Sequence, residues 1–143
     1  MDKTKFILLL LIPLALALFS GCSSDNPTEP DPTPNTTAPL SKLSDIQAKV
    51  FTQNCTSSGC HGNTNNQASL LLTDGSSYAN LVSIQSVLYP QFTRVQPGNS
   101  TNSLLIKILK GEVSPRMPLN RTPLSAAVID SIAKWIDNGA LNN

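Results

Sequence analysis

The order of apolar and polar stretches divides the chain into a leader, a tether and a folded part. An unbroken apolar run from Phe6 to Phe19 follows two lysines and precedes Ser20 and Gly21, an order typical of a secretory signal. The run has about 14 residues, fewer than the roughly 20 that a permanent transmembrane helix needs, and Pro13 interrupts it. The sequence therefore predicts a signal peptide at residues 1–21 and an exported protein. A retained transmembrane anchor is the less favoured interpretation.

The residue that follows this leader is Cys22. The segment from Phe19 to Cys22 resembles a lipobox, the site at which a lipoprotein signal peptidase cuts before a lipidated cysteine, although Phe19 stands where Leu is usual. The resemblance implies that Cys22 becomes a lipidated N-terminus. The alternative is an ordinary cleaved signal that leaves a spare thiol, and such a thiol would be a liability in an oxidising compartment.

A tether rich in proline and threonine follows at residues 22–40. Between residues 23 and 39 it holds five prolines and three acidic residues, with no basic residue and no large apolar side chain. Such a composition cannot build a hydrophobic core. It favours extended, polyproline-like conformations with a reach on the order of 50 Å, so we expect a spacer between the membrane and the folded part.

The remaining residues, 41–143, show the apolar spacing of helices. Ser44 to Gln47 resembles a capping box, and the apolar positions that follow predict a helix leading into Cys55. A short helix is expected at about residues 76–82. Two further apolar stripes end at Gly111 and Gly139, which suit left-handed C-terminal caps. The first stripe follows a turn at Pro97 to Ser100, and the second follows Ser125; they consist of Leu104, Leu105, Ile108 and Leu109, and of Val128, Ile129, Ile132, Trp135 and Ile136.

These patterns predict an all-α domain of three main helices with long loops, because no stretch alternates long enough for a convincing strand. About 100 residues remain for it, which is enough for one core. Ten basic and nine acidic residues give the whole chain a formal charge of +1. This balance does not call for a nucleic acid partner. The folded part is modestly basic.

The residues that carry chemistry are concentrated in one heptapeptide. Cys55-Thr56-Ser57-Ser58-Gly59-Cys60-His61 contains both remaining cysteines and the single histidine of the protein. Two thiols followed at once by histidine resemble the attachment motif of c-type haem, in which both cysteines bond the haem and the histidine ligates iron. Haem c would then be held by Cys55 and Cys60, with His61 as an iron ligand.

The spacing of this motif departs from the usual C-x-x-C-H. On a helix, residues three apart lie within about 60° of each other, whereas residues five apart diverge by about 140°. The extra residues must therefore loop out, and Ser57 to Gly59 is flexible enough to do so. Two alternatives stay open: a Cys55–Cys60 disulfide, and a zinc site, which would lack a fourth Cys or His ligand.

A second iron ligand is expected at Met117. It is the sole methionine after the leader and lies in a proline-punctuated loop, Arg116-Met117-Pro118, rather than on an apolar stripe. A proline-fixed backbone suits a thioether that must be aimed at a metal. The alternative is that Met117 fills a gap in the core.

Taken in order, these motifs are similar to those of small class I cytochromes c, particularly the cytochrome-c-like domains of planctomycete-type and related exported bacterial proteins. That family has a helix leading into Cys, Cys and His, a leucine-rich loop, a Pro-Gly turn before a helix, a Met-Pro loop and a last helix ending Trp-Ile-x-x-Gly-Ala. The corresponding segments here are Phe51 to His61, Leu70 to Leu72, Pro97 to Leu105, Met117-Pro118 and Trp135 to Ala140.

The resemblance implies a class I cytochrome c-like fold around one haem, with His61 and Met117 as axial iron ligands. It implies an electron carrier rather than an enzyme, with redox proteins as partners. It also implies that the first and last helices cross beside the haem, with Trp135 near its edge or in the core. Arg94, Arg116 and Arg121 are candidates to pair with the propionates, although a solvated surface position is the favoured interpretation for any one of them.

Two rival functions remain open from the sequence. One is a haem-free lipoprotein in which Cys55 and Cys60 form a disulfide and which acts as a binding or interaction module. The other is a sensor or enzyme with five-coordinate haem, in which Met117 is not a ligand.

Overall fold

A computed structural model describes residues 40–64 and 66–143. The predicted signal peptide, the lipidated Cys22 and nearly all of the tether lie outside these residues. Leu40, the last residue assigned to the tether, is buried and belongs to the hydrophobic core. In the described part of the chain, no helix is long and apolar enough to cross a membrane.

The first helical stretch leads into Cys55, as the apolar spacing predicts. It consists of α1 (Leu43–Ile46), a π-helical turn (Gln47–Phe51) and α2 (Thr52–Asn54). The amide of Cys55 still donates a hydrogen bond to the carbonyl of Phe51 at 2.9 Å. The apolar face of this helical stretch is buried in the core. The end of the stretch, where the cysteine cluster begins, is therefore held in place.

The predicted capping box at the start of this stretch is wrong. Gln47 does not turn back to the helix N-terminus, because its buried side-chain amide donates to the Leu72 carbonyl at 3.0 Å and to Thr52 Oγ1 at 3.1 Å. Asn143 caps α1 instead. Its side-chain oxygen accepts from the Leu43 amide at 3.0 Å, and its main-chain carbonyl accepts from the Ser44 amide at 2.9 Å.

The middle of the domain consists mostly of loops. A 3₁₀ turn (Gln67–Ser69) and the short helix α3 (Ser77–Leu81) follow the cysteine cluster. Isolated bridges pair Val82 with Val95 and Gln85 with Thr93. The described residues contain no extended strand.

Helices α4 (Leu104–Lys110) and α5 (Ala126–Asp137) pack against each other. Both end as predicted at a left-handed glycine, Gly111 with φ +80° and Gly139 with φ +98°. Ser125 caps α5 through its hydroxyl, which accepts from the amide of Val128. The core that they share with the first helical stretch is formed by Leu40, Leu43, Ile46, Val50, Phe51, Leu72, Leu81, Val95, Ile106, Leu109, Ile129, Ile132, Trp135, Ile136 and Ala140.

The apolar stripe predicted for α4 differs from the one observed. Leu104 and Leu109 are buried as expected, but the third buried residue is Ile106. Leu105 and Ile108 are only half-buried and line a cavity. Helix α4 therefore presents apolar residues to both the core and the cavity, and Leu109 belongs to both.

Candidate functional site

A cavity of about 540 Å³ lies between the first helical stretch, α4 and the loops that connect them. Its size falls within the roughly 300–1,000 Å³ that is usual for small-molecule and cofactor sites. Most of its wall is apolar, with Phe51, Leu70, Leu105 and Ile108 among the contributors. The sequence-predicted residues Cys55, Cys60, His61 and Met117 all line this one cavity.

The cysteine cluster leaves the helix at Cys55 and forms a closed loop. The amide of Cys60 donates to the Ser57 carbonyl at 3.0 Å, and the amide of His61 donates to the Cys55 carbonyl at 2.9 Å. Gly59 has φ +80°, the left-handed conformation that glycine adopts without strain. The extra residues thus loop out, as the five-residue spacing of the cysteines predicts, and both cysteines face the same cavity.

Gly62 fixes the other side of this loop. A Cβ at this position would lie 2.4 Å from the carbonyl oxygen of Thr56, closer than real Cβ contacts come. Thr56 is itself held by its hydroxyl, which donates to the Thr52 carbonyl at 2.9 Å. The loop therefore closes only because position 62 has no side chain.

Cys55 and Cys60 are both free thiols in the structure. Burial is the main reason why the pKa of Cys55 rises from 9.0 to about 11; the charge of Cys60 raises it further, and Arg121 opposes both. The Sγ atom of Cys60 accepts a hydrogen bond from Ser57 Oγ at 3.5 Å. Among the described residues, no group of three or more His, Cys, Asp or Glu is placed to hold a metal ion.

His61 is oriented by backbone carbonyls. Its Nδ1 lies 3.2 Å from the Gln67 carbonyl and 3.3 Å from the Leu70 carbonyl. Because carbonyls only accept hydrogen bonds, the Nδ1 atom carries the proton, and Nε2 keeps a free lone pair. Burial lowers the pKa of His61, against the opposing effect of these two hydrogen bonds. A neutral imidazole with one nitrogen fixed by a carbonyl is the form that binds metals.

Met117 is half-buried in the cavity wall and also packs against the core. Its amide donates to the Ile108 carbonyl at 3.1 Å, which fixes its loop to the end of α4. The position agrees with either predicted role, iron ligand or filler, and the ligand role stays a prediction.

The three arginines considered from the sequence have different environments. Arg121 lines the cavity and donates to Ser57 Oγ at 3.0 Å. Arg116 is exposed, donates to the Leu109 carbonyl at 3.1 Å and lines a separate cavity of about 200 Å³. Arg94 is only 7% exposed, so a solvated surface role is wrong for this residue.

Trp135 does not contribute to the cavity wall. Its ring is buried in the core, and Nε1 donates to the Leu141 carbonyl at 2.9 Å. Of the two roles implied by the resemblance, the structure supports the core role and gives no support for a position at the edge of this cavity.

The opening of the cavity to solvent could not be predicted from the sequence. Leu88 and Leu119 line it and are nevertheless 62% and 53% exposed. Both lie outside the helices, where periodicity gives no signal. The chain showed no match among the protein-family models, curated proteins and solved structures with which it was compared.

Proposed function

We propose that this protein is a mono-haem c-type cytochrome that transfers electrons. The observation that supports the proposal is the convergence of two free thiols, a neutral imidazole and a thioether on one apolar cavity. These residues come from separate stretches of the chain, since Met117 follows His61 by 56 residues. A core would not need this combination of groups around a cavity.

The donor set fits haem c. Cys55 and Cys60 would hold it through thioether bonds, and His61 Nε2 and Met117 Sδ would ligate its iron. Bound in this way, the group supplies an iron that changes its oxidation state by one electron. The carbonyls of Gln67 and Leu70 hold the imidazole, and the cavity wall around it is mostly apolar.

The remaining features of the wall suit an electron carrier. Arg121 places positive charge at the cavity, where it would neutralise a propionate. Leu88 and Leu119 leave the cavity open to solvent, so electrons would exchange there with a redox partner protein. The predicted leader, lipidation at Cys22 and the tether would keep the domain exported and attached to a bacterial membrane.

Haem staining of the full chain tests the proposal most directly. The chain is expressed with its leader in a bacterium that has a c-type haem attachment system and is then separated on a denaturing gel. We expect a covalent haem stain that is lost in a variant combining Cys55→Ala and Cys60→Ala, and that is kept in Cys22→Ser. A wild-type chain without stain would falsify the cytochrome proposal.

The same protein separates the rival functions. If no haem is present and alkylation with mass spectrometry finds a Cys55–Cys60 disulfide, the haem-free lipoprotein is the correct interpretation. If haem is present, Met117→Ala should change the reduced absorption spectrum and lower the reduction potential, because methionine ligation together with histidine raises it. An unchanged spectrum and potential would exclude Met117 as a ligand and favour the five-coordinate alternative.

A further inference from the structure

Arg94 is a buried cation that is held by backbone oxygens. Its Nη1 donates to the Asn80 carbonyl at 2.8 Å, and its Nη2 donates to the carbonyls of Ala68 and Ser69 at 3.0 and 3.2 Å. Among the described residues no carboxylate forms an ion pair with it. Burying a charge is costly unless hydrogen bonds compensate for it, so these three carbonyls are what makes its burial tolerable.

The acceptors of Arg94 belong to the same short loop that holds His61. The four successive carbonyls of residues 67 to 70 are hydrogen-bond acceptors for two side chains, His61 and Arg94. The outer pair, from Gln67 and Leu70, faces His61 Nδ1. The inner pair, from Ala68 and Ser69, accepts from the Arg94 guanidinium.

This loop has a conformation that needs support. Ala68 and Ser69 have φ values of +56° and +52°, in the left-handed region that residues with a Cβ seldom adopt. Such residues cost on the order of 1 kcal/mol each and persist only where the surroundings hold them. Arg94 Nη2 donates its two hydrogen bonds to the carbonyls of these two residues.

The backbone of Arg94 is fixed on the opposite side. Its amide donates to the Ile84 carbonyl at 2.8 Å, and its carbonyl accepts from the Leu105 amide at 3.0 Å, at the start of α4. The guanidinium therefore extends from a rigid base toward the loop. Its planar fork reaches carbonyls on α3 and on the loop at the same time, which a lysine ammonium on a flexible stem does not reproduce.

We infer that Arg94 is a positioning residue for His61: it holds the inner carbonyls of the 67–70 loop, so that the outer carbonyls keep the proton on Nδ1 and leave Nε2 available as a ligand. The inference rests on the proposed function, because only haem binding gives Nε2 an iron to ligate. The hydrogen bonds of Arg94 and His61 do not depend on a bound haem.

The test follows the imidazole proton by nuclear magnetic resonance. His61 is the only histidine, so its ring signals are unambiguous. The full chain is labelled with ¹⁵N and measured without haem and, where haem is attached, in the reduced state. We expect wild type to show a proton on Nδ1 that exchanges slowly with solvent. Arg94→Leu and Arg94→Lys should accelerate this exchange on the order of tenfold, the change expected when about one net hydrogen bond is lost.

Arg116→Leu is the matched control, because this arginine also donates to a backbone carbonyl but lines the other cavity. It should leave the imidazole proton unchanged. Circular dichroism identifies folded variants, and Arg94→Lys keeps the charge if Arg94→Leu does not fold. A folded Arg94 variant with wild-type exchange and an unchanged tautomer overturns the inference.

This test of the positioning role can succeed or fail independently of the cytochrome proposal. If the chain takes up no haem but the Arg94 variants lose the protected Nδ1 proton, the positioning role stands and the cytochrome proposal fails. If haem is attached and the variants keep both the proton and the wild-type reduction potential, the positioning role alone fails.

Discussion

The half-buried thiol of Cys55 should make the haem-free, folded chain sensitive to alkaline pH. Its pKa rises from 9.0 to about 11 on folding, mainly because burial disfavours the thiolate. A thiol with a raised pKa binds its proton more tightly in the folded state. Its contribution to stability is therefore complete below pH 9 and is lost as the pH rises through about 11. The difference corresponds to about 3 kcal/mol at ~1.4 kcal/mol per pKa unit, as an upper bound.

Urea unfolding of the reduced, haem-free full chain measures this contribution. The free energy of unfolding is determined below pH 9 and near pH 11 for wild type and for Cys55→Ala. Other groups titrate in this range, so the informative quantity is the difference between the two proteins. We expect wild type to lose on the order of 2 kcal/mol more than the variant, somewhat less than the bound because Cys55 is partly exposed.

Haem attachment should abolish this difference, because a thioether has no proton to lose. The haem-loaded protein should therefore show no alkaline loss of stability that depends on Cys55. If haem-free wild type and Cys55→Ala lose stability in parallel, the thiol is not buried in the way described, and the reasoning is refuted.

Three further substitutions test the framework of the site. Gly62→Ala should lower the free energy of unfolding by about 1–3 kcal/mol and reduce haem incorporation, since its Cβ would lie 2.4 Å from the Thr56 carbonyl oxygen. Gly59→Ala is the control, because no atom lies within 4 Å of its Cβ; it should cost about 1 kcal/mol in urea unfolding. Asn143→Ala should lower stability by about 1 kcal/mol through the lost cap, and an unchanged melting temperature would contradict that role. Ile132→Ala should cost about 2–5 kcal/mol, because this fully buried side chain leaves a cavity; a calorimetric loss below that range would mean that the core refills.

Local signals in the sequence account for the helices and for the cysteine loop. The last two helices could be predicted because their apolar spacing ends at Gly111 and Gly139, which both adopt the left-handed conformation. The heptapeptide from Cys55 to His61 could be predicted to loop out, because helix geometry alone separates its cysteines. In each case the determinant lies within a few residues of the feature.

Features that depend on distant contacts could not be predicted. Gln47 resembles a capping residue, but its side chain binds a carbonyl 25 positions later. Arg94 resembles a surface arginine, but its acceptors lie 14 to 26 positions away. Helix α4 presents apolar residues to both the core and the cavity, and periodicity cannot tell a core-facing residue from a cavity-facing one. These are properties of the packed chain rather than of any window of sequence.

The hydrogen bonds between Asn143 and the first turn of α1 have a topological consequence. They bring Asn143 to the first turn of α1, so the two ends of the folded part lie close together. Leu40 lies only three residues before the capped amide of Leu43, and it is buried. Attachments made before residue 40 and after residue 143 would therefore both join the domain beside the start of α1.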